Sequence, residues 1–271
     1  MKLVELFIQG KSDTKNCEDG YFISDNFVAV IDGVTSKSDF RYEGKTTGKL
    51  AEDAVRKAVS ALPRNASMQQ FVKAVNDEIA AFYSQIDFPY DRREKGLQAV
   101  CAAYSDHLRQ VWLIGDCQAM IDGRLYTNPK KSDEVLSEMR SLILNVLLCG
   151  GESKLPSQSQ QKMAREVIEP WILRSNCFAN GMGSEYNYAV FNGCDIPAEL
   201  IQVIQLDEGQ HEIVLASDGY PELRQNLQAS ETCLKKILSD DPACYRQYHS
   251  TKGVSSEQTS FDDRTYIRFL I

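Results

Sequence analysis

The sequence lacks the residue patterns of several common metal and redox sites. Histidine occurs only three times, at His107, His211 and His249, and these positions share no ligand spacing. Eight cysteines are present, but no two form a C-x-x-C pair, so neither a zinc ribbon nor a thioredoxin-like motif is supported. No cysteine has an arginine six residues after it, which disfavours a phosphate-binding loop with a cysteine nucleophile.

Long apolar runs and an excess of positive charge are also missing. The longest apolar run, around residues 141–149, is far shorter than a membrane span, and the first eight residues are too charged for a signal peptide. Thirty Lys and Arg face 38 Asp and Glu, giving a net charge of -8. An acidic chain is a poor non-specific binder of nucleic acid. We therefore expect a cytoplasmic protein with neither a membrane nor a nucleic acid as its partner.

Hydrophobic periodicity predicts strands and helices in separate groups. Period-two patterns predict strands at 2–9, 20–23, 27–31, 98–104, 110–114, 119–121, 124–126, 187–191, 199–205, 212–216 and 265–271. Helical patterns cover 44–62, 67–84, 132–148, 157–173 and 229–238. No linker separates two units, so we expect one domain over 1–271 with a helical insert at about 130–175. Clustered strands followed by paired helices indicate an α+β architecture with layers.

Acidic residues stand where buried strands end. Apolar runs lead directly into Asp32-Gly33 and Asp218-Gly219, and a third run leads into Gly115-Asp116. Asp262 lies just before the last predicted strand. Buried carboxylates at one sheet edge repel each other unless a cation neutralises them. An all-oxygen site suits Mg²⁺ or Mn²⁺, and glycine after the acid lets the backbone carbonyl approach as well.

These motifs, taken in order, resemble the metal-dependent protein phosphatases of the 2C (PPM) type, with this chain as a divergent, bacterial-like member. The matching segments, from about residue 10 onward, are Asn16-Cys17-Glu18-Asp19, Val30-Ile31-Asp32-Gly33, the helix opening at Gly44, Ile114-Gly115-Asp116, Leu215-Ala216-Ser217-Asp218-Gly219 and Asp262-Asp263-Arg264-Thr265. The resemblance implies a four-layer αββα sandwich of two antiparallel sheets flanked by helix pairs. It also implies hydrolysis of phosphoserine and phosphothreonine in a phosphorylated protein, by water activated at a dinuclear site.

The resemblance assigns roles to individual residues. Asp32 would bridge two Mn²⁺ or Mg²⁺ ions, and the Gly33 carbonyl would bind one of them. Asp218 and Asp262 would bind the other ion and complete the catalytic set with Asp32. Three further acids would take outer positions. Glu18 and Asp19 would hold metal-bound water, and Asp116 would face a third, weaker metal position.

The sequence also departs from the family pattern near the substrate. The arginine that usually grips phosphate is Thr14 here, so Lys11 or Lys15 is the candidate substrate-binding residue, as a point charge. The usual Gly-Gly-His after the first Asp-Gly is replaced by residues 34–37, which end in Lys37. Two alternatives therefore stay open: a catalytically weak or inactive regulatory or binding module, and a hydrolase of small phosphoesters.

Overall fold

The computed structural model describes residues 1–12, 17–149 and 155–271. Within these ranges, ten strands form two antiparallel five-stranded sheets. The first sheet has the order β1-β10-β9-β6-β7, and the second has the order β2-β3-β4-β5-β8. The strands are β1 (Lys2–Gln9), β2 (Asp19–Ile23), β3 (Phe27–Gly33), β4 (Ala99–Ser105), β5 (Gln110–Ile114), β6 (Gln118–Ile121), β7 (Arg124–Tyr126), β8 (Gln202–Gln205), β9 (Glu212–Ala216) and β10 (Arg264–Leu270).

The two sheets face each other across one of the apolar cores. Because side chains alternate along a strand, β3 contributes to two cores at once. Its residues Val28 and Val30 point into the core between the sheets. Its residues Phe27, Ala29 and Ile31 point the other way, into a core shared with helices. Burial of β3 on both faces explains why its sequence is a continuous apolar run.

Six α-helices accompany the sheets in the described residues. They are α1 (Thr47–Ala61), α2 (Met68–Ser84), α3 (Arg92–Lys95), α4 (Lys131–Leu148), α5 (Gln158–Arg174) and α6 (Leu227–Asp240). The α1–α2 pair covers the second sheet, and the Ser67 side chain begins α2 with a capping box that includes Gln70. None of these helices is long and apolar enough to cross a bilayer, among the residues that were described.

The second helix pair, α4 and α5, encloses two small apolar clusters. Leu136 of α4 packs with Ile168 of α5, and Leu144 and Ala164 pack with Tyr245 from the segment after α6. The outer face of the first sheet is covered by another segment, in which Tyr220 and Leu223 pack on β9 and β10. The α4–α5 pair therefore borders the ends of the strands, where it contributes residues to the cleft described below.

The predicted α+β class with two antiparallel sheets is confirmed, and three local predictions are wrong. Residues 187–191 form isolated bridges instead of a strand. There Asn180 bonds both the amide and the carbonyl of Val190, each at 2.9 Å, and so replaces a neighbouring strand. The strand predicted at 199–205 begins only at Gln202, after a 3-10 turn, and the helix predicted from 44 begins at Thr47. The short helix α3 was not predicted.

Candidate metal centre and its cleft

The strand ends gather acidic side chains around one cleft. Asp32 ends β3, Asp116 follows β5, Asp218 follows β9, and Asp262 precedes β10. All four line a cleft of about 740 Å³. The topology thus joins residues that lie far apart in the sequence, because the strands that carry them belong to two facing sheets.

Asp32 lies at the centre of this acidic group. It pairs directly with Asp19 in the register of β2 and β3. Burial raises the pKa of Asp32 well above its usual range, and the neighbouring charges of Asp19, Asp262 and Asp116 raise it further. In the metal-free protein, Asp32 is therefore protonated more readily than a free carboxyl group is. A bound cation would offset the repulsion and desolvation that disfavour its ionised form.

Asp218 has a buried carboxylate oxygen that lacks a partner. Within the described ranges, Asp218 Oδ1 accepts no hydrogen bond. Burial, followed by the charges of Asp32, Asp262 and Asp116, raises the pKa of Asp218. An unsatisfied buried carboxylate oxygen among other oxygen donors fits a hard divalent cation. The described residues nevertheless contain no group of three or more His, Cys, Asp or Glu side chains arranged as a ready-made cage.

Asp19 is held in place by hydroxyl groups. Its Oδ2 accepts hydrogen bonds from Ser217 Oγ at 2.7 Å and from Thr265 Oγ1 at 2.9 Å. Burial raises the pKa of Asp19, whereas these two bonds lower it. Because Ser217 directly follows β9 and Thr265 lies on β10 of the first sheet, whereas Asp19 lies on the second, the three side chains tie the two sheets together beside the cleft.

Glu18 and Gly33 lie where β3 meets the start of α1. Glu18 Oε1 accepts hydrogen bonds from Thr46 Oγ1 at 2.6 Å and from Ser36 N at 3.3 Å. Burial raises the pKa of Glu18. A Cβ atom on Gly33 would lie 2.3 Å from the Gly48 carbonyl oxygen and 2.6 Å from that of Glu18. Glycine is therefore required at position 33 for the helix and the strand to approach this closely.

Asp262 is already surrounded by positive charge. Lys252 Nζ lies 2.5 Å from Asp262 Oδ2, and Lys11 Nζ lies 3.2 Å from Oδ1. Burial alone would raise the pKa of Asp262, but these two lysines hold it below its usual range. The adjacent Asp263 accepts bonds from the backbone amides of Lys11 at 2.7 Å and Glu18 at 2.8 Å. Asp262 therefore contacts lysine side chains in the cleft, whereas Asp263 is bonded by backbone amides.

Asp116 lies on the side of the cleft that faces the helical insert. Burial raises the pKa of Asp116, and the nearby charge of Asp133 on α4 raises it further. Lys130 Nζ is 3.2 Å from Asp133 Oδ1 and partly compensates this acidic pair. Sequence reasoning did not identify Asp133, because only the packing of α4 brings it close to Asp116.

The structure brings most of the predicted site residues together and adds others. Around the cleft or directly behind it lie Glu18, Asp19, Asp32, Gly33, Asp116, Asp218, Asp262 and Lys11. Lys15 and Thr14 lie outside the described residues. The cleft is also lined by five cations that the sequence did not single out as ligand-binding, namely Lys37, Lys95, Lys130, Arg165 and Lys252. Only the position of Lys37, a few residues after Asp32, could have indicated its presence there.

Comparison with known proteins identifies the fold. No protein-family model matches the sequence, and no curated protein matches it. Among solved structures, the chain resembles the serine/threonine phosphatase Stp1 from Staphylococcus aureus, with a TM-score of 0.51 and 13% identity over 100% of this chain and 95% of that chain. The likeness to Stp1 shows that the chain has the fold of a PPM-type phosphatase, as the motifs predicted.

Two further structures give lower scores. The catalytic domain of the phosphatase PstP in complex with two manganese ions gives a TM-score of 0.49 at 13% identity, with all of both chains covered (100% and 100%). The PPM Ser-Thr phosphatase MsPP from Mycobacterium smegmatis, in complex with cacodylate, gives 0.46 at 14% identity over 99% of this chain and 98% of that chain.

Proposed function

We propose that this chain is a single-domain, metal-dependent phosphomonoester hydrolase that acts on phosphoserine and phosphothreonine in proteins. Asp32, the Gly33 carbonyl, Asp218 and Asp262 would hold two Mn²⁺ or Mg²⁺ ions. Glu18 and Asp19 would act through water, and Asp116 would serve a weaker third position. When bound, such ions neutralise phosphate charge and lower the pKa of coordinated water.

The residues of the chain itself supply position and charge. Ser217 and Thr265 fix Asp19, and the Thr46 hydroxyl fixes Glu18, so both acids have defined orientations before any ion binds. Packing of Gly33 against Gly48 fixes the end of β3. Preorganised ligands of this kind reduce the reorganisation that binding would otherwise require.

One observation carries the proposal: the partly buried acids Asp32, Asp116 and Asp218 share one cleft, and each has a raised pKa. Gathering like charges in a buried position is costly unless a cation is bound there in the working state. The fold shared with Stp1 supports the choice of phosphoserine and phosphothreonine as substrates.

The test is release of phosphate from p-nitrophenyl phosphate and from a phosphothreonine peptide, with Mn²⁺ or with EDTA. We expect hydrolysis of both substrates that requires the metal and is lost in Asp32→Asn. Asp53→Asn, which changes an exposed ion pair with Lys45 on the outside of α1, is the matched control and should leave the rate unchanged. Absence of metal-dependent hydrolysis by wild-type protein that binds Mn²⁺ would contradict the proposal.

A second candidate is a catalytically weak or inactive module that binds a partner. The ion pairs of Asp262 with Lys252 and Lys11 favour it, because two ammonium groups already supply the cation that Asp262 needs. Calorimetric titration with Mn²⁺ separates the two candidates. Binding of two ions with micromolar or better affinity supports the hydrolase, and absence of binding supports the module.

A further inference from the structure

Three cations from distant parts of the chain line the cleft near Asp262. Lys37 follows β3, Arg165 lies on α5, and Lys252 lies in the segment between α6 and β10. They are close enough that Arg165 and Lys252 both lower the pKa of Lys37. The cleft thus holds a group of positive charges next to the group of acidic side chains.

Two of these cations have partners within the protein. Lys252 Nζ is ion-paired with Asp262, and Arg165 Nη1 donates a hydrogen bond to the Thr251 carbonyl at 2.8 Å. Lys37 differs, because its ammonium group has neither a hydrogen-bond nor an ion-pair partner anywhere in the described part of the chain. Burial, followed by repulsion from Arg165 and Lys252, lowers the pKa of Lys37 to about 7. A partly buried cation that pairs directly with no counterion is costly, so a bound anion would stabilise it.

Thr35 extends this cationic group toward the acids. Its Oγ1 accepts hydrogen bonds from Lys11 Nζ at 3.1 Å and from Lys252 Nζ at 3.4 Å. A hydroxyl oxygen has two lone pairs and one proton, so two accepted bonds leave the O–H free to donate. Thr35 also lines the cleft. A hydroxyl donor therefore lies between the two lysines that contact Asp262.

We infer that Lys37, Arg165, Lys252 and the Thr35 hydroxyl form an anion site that takes the phosphoryl group of the substrate. A phosphate monoester dianion carries two charges and several acceptor oxygens, which matches three cations and one hydroxyl donor. The inference rests on the proposed function, since it names the residues that hold the substrate of that site. It places phosphate capture on the helical insert and on the segment before β10, in addition to Lys11.

The test measures anion binding without metal, so that it does not depend on catalysis. Inorganic phosphate is titrated into the protein in EDTA and followed by calorimetry, with sulfate as a second tetrahedral anion. We expect wild-type protein to bind both anions and Lys37→Gln to bind each about tenfold more weakly, the scale of one charge-assisted contact. Arg165→Gln should weaken binding similarly.

Lys95→Gln is the matched control, because Lys95 lines the same cleft but lies over the Tyr90 ring, 5.0 Å from its centroid. This variant should bind phosphate as wild type does. Thermal melting confirms that each variant is folded, and Lys37→Gln should not lose stability because it removes a repelled charge. Equal phosphate affinity in wild type and Lys37→Gln, or no binding by wild type, would overturn the inference.

The two proposals can fail independently. Phosphate binding that depends on Lys37 in a protein without Mn²⁺-dependent hydrolysis would keep the anion site and reject the hydrolase. Hydrolysis of the phosphothreonine peptide with an unchanged KM in Lys37→Gln would keep the hydrolase and reject the anion site.

Discussion

Lys37 should react with acylating reagents at neutral pH far faster than an ordinary lysine. Only the neutral amine is nucleophilic, and burial together with the charges of Arg165 and Lys252 lowers the pKa of Lys37 to about 7. Lowering a lysine pKa favours the neutral form, so the reactive fraction of Lys37 rises as the pH passes through 7. An ordinary lysine reaches the same fraction only near pH 10.4.

The size of the effect follows from these two pKa values. At pH 7.5, about three quarters of Lys37 would be neutral, against roughly one part in 800 for an ordinary lysine. A weaker base is also a weaker nucleophile, and the Brønsted slope of about 0.4–0.5 known for thiolates, applied to the amine, reduces the advantage by roughly 30-fold. The net expectation is that Lys37 is acylated about 20-fold faster at this pH. Partial burial reduces that ratio, so a small reagent such as acetic anhydride is appropriate.

The assay is trace acetylation followed by mass spectrometry of the peptide that contains Lys37. The control is the same residue in the urea-unfolded protein, which removes differences in local sequence and detection. The charged groups facing Lys37 are Arg165, Lys252, Lys11 and Asp262. Arg165→Gln removes one like charge, so it should raise the Lys37 pKa and slow acetylation at pH 7.5.

Bound phosphate should act in the same direction as Arg165→Gln. An anion stabilises the protonated amine, so it raises the pKa of Lys37 and slows its acetylation. If Lys37 reacts equally in folded and unfolded protein over pH 6–9, then the environment described for it is wrong. If Lys37 reacts quickly but phosphate does not slow its acetylation, then the lowered pKa of Lys37 is supported and the anion site is refuted.

Three further predictions concern the acidic part of the cleft. Asp32→Asn should abolish Mn²⁺ binding in calorimetry and raise the EDTA melting temperature by about 2–8 °C, because it relieves roughly 1–2 kcal/mol of like-charge repulsion; unchanged Mn²⁺ affinity would contradict this. The acids of the cleft have raised pKa values, so above pH 4 the folded protein binds more protons than the unfolded chain does. The melting temperature in EDTA should therefore fall from pH 5 to pH 8. Saturating Mn²⁺ should make the melting temperature less dependent on pH. Melting curves that are flat in EDTA would count against that account. Gly33→Ala should lower the free energy of unfolding in urea by about 2–4 kcal/mol, since its Cβ would lie 2.3 Å from the Gly48 carbonyl oxygen. A decrease under about 0.5 kcal/mol would mean that β3 and α1 move apart easily.

The acids of the site could be predicted from the sequence because local order carries the signal. A run of apolar residues ending in an acid, as at Asp32 and Asp218, shows both a buried strand and a charge at its end. The segment at 187–191 shows the limit of this reasoning. Its alternation is that of a strand, but the side chain of Asn180 satisfies the backbone of Val190, and no periodicity reports such a contact.

The cations could not be predicted in the same way. Lys37, Arg165 and Lys252 are separated by more than 80 residues at each step, and nothing in their flanking sequence differs from that of a surface lysine or arginine. The sequence indicated only that Lys37 replaces a residue expected in the family. Its environment depends on where the helical insert packs, which is a property of the tertiary structure.

The two groups of charge in the cleft should be thermodynamically coupled through Lys252. This lysine is paired with Asp262 at 2.5 Å, so a metal ion that binds Asp262 must displace it and leaves it available to an anion. Metal binding should therefore strengthen phosphate binding, and by linkage phosphate must strengthen Mn²⁺ binding by the same factor.

Calorimetry with each ligand in the absence and presence of the other measures both factors, after correction for association of Mn²⁺ with phosphate in buffer. Lys252→Gln should bind Mn²⁺ alone more tightly, because it removes the competing cation, and should show weaker coupling. If the variant binds Mn²⁺ no better and keeps the full coupling, then Lys252 does not connect the two sites.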